Sequence, residues 1–330
     1  YQSAADAGHQ KKVSAAWGVD MPTRAGMTYP AMIDSVKSGG VRSLYMIGSD
    51  IAHTDPNNEQ VKEALGQLEL LIVQDIFMSE SAEFAHVVLP AATFLESDGT
   101  YTNGERRVQR IRRALKPPGQ AKEDWIIVAE LAEVLGQAIV SSRDVSDVWD
   151  ELAALTPNFA GIDYGRLESP EAIQWPAPTL EHPGTTVMHQ GVFNRGLGHF
   201  AAPGFAEPNE HASSAFPFIL ITGRDLYHYN AATQTRRTGL TQYKLTDYLD
   251  IHPEDAAGLG IGDGSPVWLS SPRKKIKITA RHRSDLRRGN LFATFHFAEI
   301  GLNGVLSSSA DGPTGCPEYK VQAVNVEPAK

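Results

Sequence analysis

Two acidic signatures near the N-terminal end of the chain are placed where chemistry could happen. Gly48-Ser49-Asp50 closes the apolar run Val41 to Ile47, and Gln74-Asp75 closes the run Leu70 to Val73. A carboxylate offers acceptors only. At a strand end it can receive adjacent N–H groups of a guanine edge, or a ribose hydroxyl. It can equally cap the N–H groups of the turn that follows, and spacing alone leaves both uses open. A third charged feature is the segment 96–119, with five arginines between Arg106 and Arg113 and a stop at Pro117-Pro118-Gly119. Such a run reads better as a solvated or interface-facing surface than as a nucleic-acid patch. The single thiol, Cys316, forbids an intrachain disulfide. It also forbids an all-cysteine iron–sulfur cluster or a zinc site with two thiolates from this chain alone.

The elements that must position these residues follow from the pattern. Pro30 opens a helix, Ala31 to Lys37, that Gly39-Gly40 stops. The strand Val41 to Ile47 follows, then a helix from Glu59 to Leu68 with Val61, Leu65 and Leu68 on one face, the strand Leu70 to Val73, and a short strand Val87 to Leu89. Alternating strands and helices predict a parallel sheet covered by helices, whose ligands sit at the carboxyl ends of the strands. Residues 1–30 read as a polar loop with Trp17 as its aromatic anchor, and Asp124 to Leu135 as a helix closed by Gly136. From about 140 to 210 prolines recur and an extended connection is expected. After Pro217 short β-rich runs return, at 218–221, 266–269, 276–279, 291–295 and 321–324, separated by Gly, Pro and Asp turns. Residues 251–256 read as one helical turn, followed by a tight glycine turn into a strand. Many short strands without long helices predict a closed barrel.

Composition narrows the class. The 330 residues are 42% hydrophobic and 21% charged, an ordinary globular balance for about two domains. No apolar stretch is long enough for a membrane helix. Thirty Lys and Arg against 39 Asp and Glu leave a net charge of −9, which argues against a partner made of nucleic acid. The chain opens Tyr1-Gln2-Ser3-Ala4, with no Met and no signal pattern, and so reads as a fragment or processed product.

The strings LYMIGSD at 44–50, the long segment 71–125, ITGRDLYHYNAATQTRRT at 221–238 and the closing segment 296–326 together resemble the C-terminal part of the large subunit of molybdopterin-dependent formate dehydrogenases, in the molybdopterin oxidoreductase family. The resemblance runs over essentially the whole chain. It implies an α/β fold in which residues 1–140 are the later part of a doubly wound parallel-sheet domain. Residues 141–210 would be an extended connection. Residues 211–330 would be a six-stranded double-psi barrel of the aspartate-decarboxylase-like type that binds the dinucleotide. The implied cofactor is a bis-molybdopterin guanine dinucleotide with molybdenum or tungsten. Relatives also carry an iron–sulfur cluster segment and a metal-ligating residue in an N-terminal half, and neither is present here, so no catalytic and no metal-ligating residue is assigned.

Carried over residue by residue, the resemblance puts Gly48, Ser49 and Asp50 at the dinucleotide, with Ser49 in place of the usual Glu and Ile51 in place of the usual Pro. Gln74 and Asp75 follow, with Asp75 at the guanine N1/N2 donors. Thr222, Gly223 and Arg224, then His228, Asn230, Thr233 and Thr235, would contact pterin and phosphates. Arg224 suits a bidentate phosphate contact. Asn230 stands where many relatives have His, and Gln234 where they have Met. Asn303 would bond the pterin edge, and Tyr319 and Lys320 would close over the cofactor, Lys320 neutralising phosphate. Cys316 reads as a small buried or half-buried residue rather than a metal ligand. The segment 99–109 is given a supporting role, tied down by ion pairs such as one from Glu105 to a neighbouring Arg.

The activity so implied is formate oxidation to CO2. The implied partners are the N-terminal catalytic and iron–sulfur half of the same subunit and electron-transfer subunits, NAD-reducing or other, in the cytoplasm, with no nucleic acid and no membrane span. Three alternatives stay open: a family member acting on another substrate such as nitrate, a structural relative of the large iron–sulfur subunit of respiratory NADH dehydrogenase without molybdenum, and a free-standing pterin carrier.

Overall fold

In the computed structural model, which describes residues 2–137, 144–169, 172–193, 195–312 and 314–329, the two acid-ended apolar runs are paired strands. β1 (Ser43–Ile47) runs parallel to β2 (Leu70–Asp75), and β3 (Val87–Pro90) completes the sheet in the order β1-β2-β3. The helices Tyr29–Lys37 and Asn58–Leu65 bury Ile33, Val36, Val61 and Leu65 with Met46, Leu71 and Val73 of the strands. The register Ile47↔Gln74 sets the two acidic strand ends side by side.

The chain divides into two compact units: residues 28–88 with 204–330, and residues up to 27 with 89–203. This contact grouping differs from the linear division at 140 and 210, because the small sheet joins the barrel rather than the segment that follows it. In the second unit, β4 (Gly99–Thr102) and β5 (Arg107–Ile111) form an antiparallel hairpin that β6 (Ile173–Gln174) extends. The arginines of this hairpin are spoken for within the unit: Arg107 by Glu105, Arg110 and Arg112 by Glu168, and Arg113 by Asp98 and Glu123. Arg106 donates to the carbonyls of Trp175 and Thr185.

Two loop expectations are corrected. Residues 7–17 are a helix, Ala7–Trp17, started by Asp6 accepting from the His9 N–H and stopped at Gly18. The connection 140–210 is structured in its first half. Asp144 caps the helix Val145–Leu155 by accepting from Ser146 N–H, and Tyr164–Leu167 forms a further turn. Trp149, Ile162, Leu167 and Trp175 pack with Val108 of β5 as a core of their own. The recurring prolines hid this, because they fall between the helices. Residues 175–217 hold no helix and no ladder strand among the described residues. Residues 138–140 lie outside the described ones.

The barrel is closed, in the order β10-β8-β11-β7-β12-β9, from β7 (Phe218–Gly223), β8 (Tyr248–Ile251), β9 (Pro266–Ser270), β10 (Lys275–His282), β11 (Asn290–Thr294) and β12 (Gln322–Pro328). Two of its pairings, β7 with β11 and β8 with β10, are parallel; the rest are antiparallel. Alternate residues such as Leu249, Ile251, Leu269, Leu291 and Leu220 fill it completely, each at 0% exposure. Strand β8 had not been expected, because the buried Asp250 interrupts its apolar signal. Gly223 sits against Phe292, whose ring carbons would lie 2.5 Å and 2.6 Å from an added Cβ. Gly223→Ala is therefore expected to lower stability by about 1–3 kcal/mol through overpacking, read from a denaturant midpoint; an unchanged midpoint would show that the ring moves aside freely. Among the described residues no helix is long and apolar enough to cross a membrane.

Candidate functional site

The strand ends supply the first part of the site. Gly48 holds φ at +58, a left-handed conformation that favours glycine, while its N–H donates to the Gln74 carbonyl at 2.8 Å. Ser49 beside it is exposed. Asp50 is committed: Oδ1 accepts from both the N–H and the hydroxyl of Ser81 at 2.8 Å, and His53 Nδ1 stands 3.9 Å from Oδ2. It braces the turn after β2 against the turn after β1. Gln74 is fully buried and accepts from the Tyr45 hydroxyl. Asp75 accepts with Oδ1 from Ile76 N–H (2.7 Å) and Phe77 N–H (3.2 Å). Burial pushes its carboxyl above the ordinary range despite those bonds. Both bonds go to Oδ1, so Oδ2 is left for a ligand donor.

The barrel supplies the cations. β12 pairs antiparallel to β7 with Gln322 opposite Leu220, and that register carries Lys320 to Thr222, two residues before Arg224. Lys320 Nζ donates to the Thr222 carbonyl, and Thr222 Oγ1 donates to the Tyr319 carbonyl at 2.8 Å. Burial, then the like charge of Arg224, hold the Lys320 ammonium below the ordinary lysine range. No carboxylate among the described residues pairs with Arg224 or Lys320. Both residues are solvent-exposed, so water solvates their charge, and two like charges side by side at the surface leave a positive patch open to an anion. The Tyr319 hydroxyl lies 3.5 Å from the Thr54 carbonyl, and burial pushes it up to about 12.

Between them runs the loop 224–235. His228 is 4% exposed and spends both ring nitrogens inside the chain. Nε2 faces the Lys244 carbonyl at 3.2 Å, so it carries the proton, and Nδ1 takes the Thr235 hydroxyl at 3.1 Å. Thr235 Oγ1 in turn accepts from Tyr229 N–H at 3.2 Å. Asn230 is exposed with φ +48, and its carbonyl accepts from His296 Nδ1 at 2.6 Å. The Thr233 carbonyl accepts from Arg237. Arg237 also lies 4.3 Å over the Phe77 ring, next to Asp75, and so links the loop to the second strand end. Asn303 is 2% exposed. Its Nδ2 donates to the carbonyls of His53 (3.0 Å) and Thr54 (2.9 Å), pinning the barrel to the turn after β1, while its buried Oδ1 has no partner among the described residues.

Of the predicted residues, Asn303 and Tyr319 reach the turn after β1 through His53 and Thr54, and the loop 224–235 reaches the second strand end through Arg237 over Phe77. Arg224 and Lys320 lie beside each other on the barrel, and Ser49 and Asn230 are exposed. Arg237, His53 and the buried group of Asp225, Lys244, Asp247 and His296 belong with them and were not singled out from sequence. Arg237, Asp225 and His296 lie inside the quoted strings; Lys244 and Asp247 carry no signal. Cys316 is exposed. Among the described residues no group of three or more His, Cys, Asp or Glu is arranged to hold a metal.

A pyrophosphate-bearing dinucleotide fits this set. Arg224 and Lys320 offer exposed charge that no carboxylate among the described residues pairs with, Asp75 Oδ2 offers an acceptor for a base edge, and Asn303 Oδ1 is an unsatisfied acceptor among the described residues. Comparison with known proteins agrees. The family described as "Molybdopterin oxidoreductase" matches residues 2–134, and the "Molydopterin dinucleotide binding domain" matches residues 218–323. The chain is 38% identical over 324 residues to the F420-dependent formate dehydrogenase 1 subunit alpha of Methanococcus maripaludis, covering 97% of this chain and 48% of that protein. It is 32% identical over 330 residues to the assimilatory nitrate reductase catalytic subunit of Bacillus subtilis, covering 99% and 48%. The acetylene hydratase of Pelobacter acetylenicus shares the fold at a TM-score of 0.73 and 18% identity, over 98% of this chain and 50% of that one. The chain thus spans about half the length of the relatives it matches. A small parallel sheet and a closed barrel, each matched by a molybdopterin domain, make this chain a member of the molybdopterin oxidoreductase family, with a molybdopterin guanine dinucleotide as its cofactor.

Proposed function

We propose that the chain is the cofactor-holding C-terminal part of a formate dehydrogenase catalytic subunit, and that it helps to bind a bis-molybdopterin guanine dinucleotide carrying molybdenum or tungsten. The reaction is HCOO⁻ to CO2, a proton and two electrons. When bound, the metal centre of that cofactor supplies the two-electron chemistry. This chain's residues orient and neutralise: Arg224 and Lys320 at phosphate, Asp75 at the guanine donors, the loop 224–235 and Asn303 at the pterin. The Arg224–Lys320 pair carries this reading, because two like charges held side by side on the exposed end of the barrel, with no carboxylate among the described residues paired to either, form a surface that attracts an anionic group. It weighs against the molybdenum-free structural relative.

The iron–sulfur cluster and the metal-ligating residue belong, in this proposal, to the other half of the subunit, and the electrons leave through partner subunits. The name of the methanococcal relative points to F420 as acceptor and lends no support to NAD. The nitrate reductase relative keeps nitrate as the second substrate reading.

The test uses the full-length protein that contains this chain. Metal analysis with guanine nucleotide released by acid is expected to give molybdenum or tungsten with two nucleotides per metal, and formate-dependent dye reduction. Folded protein devoid of both metal and nucleotide overturns the cofactor reading. Metal-loaded protein that turns over nitrate and not formate selects the second substrate.

A further inference from the structure

The loop that carries Arg224 cannot hold its shape alone. From Arg224 to Gln234 it has neither helix nor strand. It passes through two non-glycine residues in the left-handed region, Asn230 at φ +48 and Ala232 at φ +58, the second of which has no polar side chain to ease that conformation. Something outside the loop must fix it. The nearest anchor is Lys244, on the segment leading into β8, whose side chain is only 10% exposed. Its ammonium forms an ion pair with Asp225 and donates to Thr294 Oγ1 at 2.8 Å, with Asp247 Oδ1 at 3.9 Å. Its carbonyl takes the His228 Nε2 proton at 3.2 Å. Asp225 uses its other oxygen to accept from the N–H groups of Tyr227 (3.0 Å) and His228 (3.1 Å). Its own N–H donates to His296 Nε2 at 3.1 Å. The first turn after Arg224 is therefore held through Asp225 by one buried cation, Lys244, with His296 bonding the backbone beside it.

The geometry points to Lys244 as a positioning residue: by fixing Asp225 it aims the adjacent Arg224 at the phosphate of the dinucleotide. The inference rests on the cofactor reading above. Without the cation, Asp225 and Asp247 become buried carboxylates with no balancing charge, and the turn that sets the direction of Arg224 loosens. A buried pair kept only for packing predicts something different, a loss of stability unconnected to Arg224.

A double-mutant cycle separates the two. In the full-length protein, guanine nucleotide retained after gel filtration is measured for Arg224→Ala, Lys244→Met and the double variant, with thermal midpoints as the fold control. Each single change is expected to lower retention about tenfold, and the double variant to fall no further than the worse single. Should Lys244→Met fail to fold, Asp225→Asn replaces it in the cycle. That variant keeps an oxygen acceptor for the two N–H groups and loses the ion pair, and the same non-additivity is expected. Additive losses, about a hundredfold in the double variant, or full retention in Lys244→Met, overturn the positioning role. Full retention in Arg224→Ala removes the phosphate contact itself, and the inference falls with it.

Discussion

Asp75→Asn is expected to strip guanine nucleotide from the full-length protein as thoroughly as Asp75→Ala does. The reason lies in how the carboxylate divides its work. Oδ1 closes its own turn by accepting from Ile76 and Phe77 N–H, and an Asn side-chain oxygen does that nearly as well as Asp. Oδ2 is what would meet the donors of the base edge. In Asn that corner becomes an NH2 group, so a donor faces donors and a charged acceptor is lost. Hydrogen bonds to a charged group contribute about 1.5–3 kcal/mol each, which places the loss of affinity at about 10- to 150-fold. Asp75→Ala loses the turn as well and should also lower stability. The two variants together decide the role. Undiminished nucleotide content in Asp75→Asn, beside a destabilised Asp75→Ala, would reduce Asp75 to a turn cap.

The same pair of readings was open for Asp50 from sequence, and its side chain makes no capping bond to the turn that follows it; it reaches across to Ser81 instead. Both its Ser81 bonds are internal, and its side chain is only 10% exposed. No spacing rule separates the two acids, because each follows a strand and precedes a turn. What differs is the polar partner reaching across from the neighbouring strand's loop, and pairing of that kind is invisible until the register is known. The strands themselves were legible, since their periodicity and their Gly and Asp ends agree. Strand β8 was not, because Asp250 looks like a break until Arg281 is seen to pair with it at 2.6 Å. The helix Val145–Leu155 was masked by its proline-rich surroundings, although Asp144 and Trp149 mark its cap and its buried face.

The residues proposed to hold the cofactor show a similar boundary. Arg224 and Lys320 came from motif resemblance, and their adjacency needs only the antiparallel register of β7 and β12. The group beneath them was silent because its members are ordinary polar residues on three separate segments. Lys244 and Asp247 sit in a stretch whose other residues are turn-like. Only the fold makes a buried lysine and a buried aspartate out of them, and buried charge is what converts a commonplace side chain into a positioning device.

Asp247 gives that group a measurable signature in the pH dependence of stability. The side chain is fully buried at the start of β8. Oδ1 accepts from the Thr294 hydroxyl and Oδ2 from Phe297 N–H at 2.9 Å. The charges that face it are Lys244, which favours its ionised form, and Asp225, which opposes it. Burial outweighs the favourable contacts and pushes the carboxyl up to about 6, from an ordinary value of 3.8. Between those two values the folded protein binds more protons than the unfolded chain, so stability must fall as pH rises from about 4 to about 6. A shift of that size corresponds to at most about 3 kcal/mol once titration is complete. His296 works in the opposite sense. Burial holds its imidazole below the ordinary histidine value, so its contribution is lost as pH falls below that value. The two slopes overlap, and a single profile cannot separate them. The difference between the native protein and Asp247→Asn can. Asn stays neutral, can accept from Phe297 N–H and can donate to Thr294 Oγ1. The variant should match the native protein near pH 4 and exceed it by up to about 3 kcal/mol at pH 7 in denaturant unfolding. A difference that stays constant across that range would mean that Asp247 ionises as an ordinary carboxylate, and that Lys244 compensates fully for its burial.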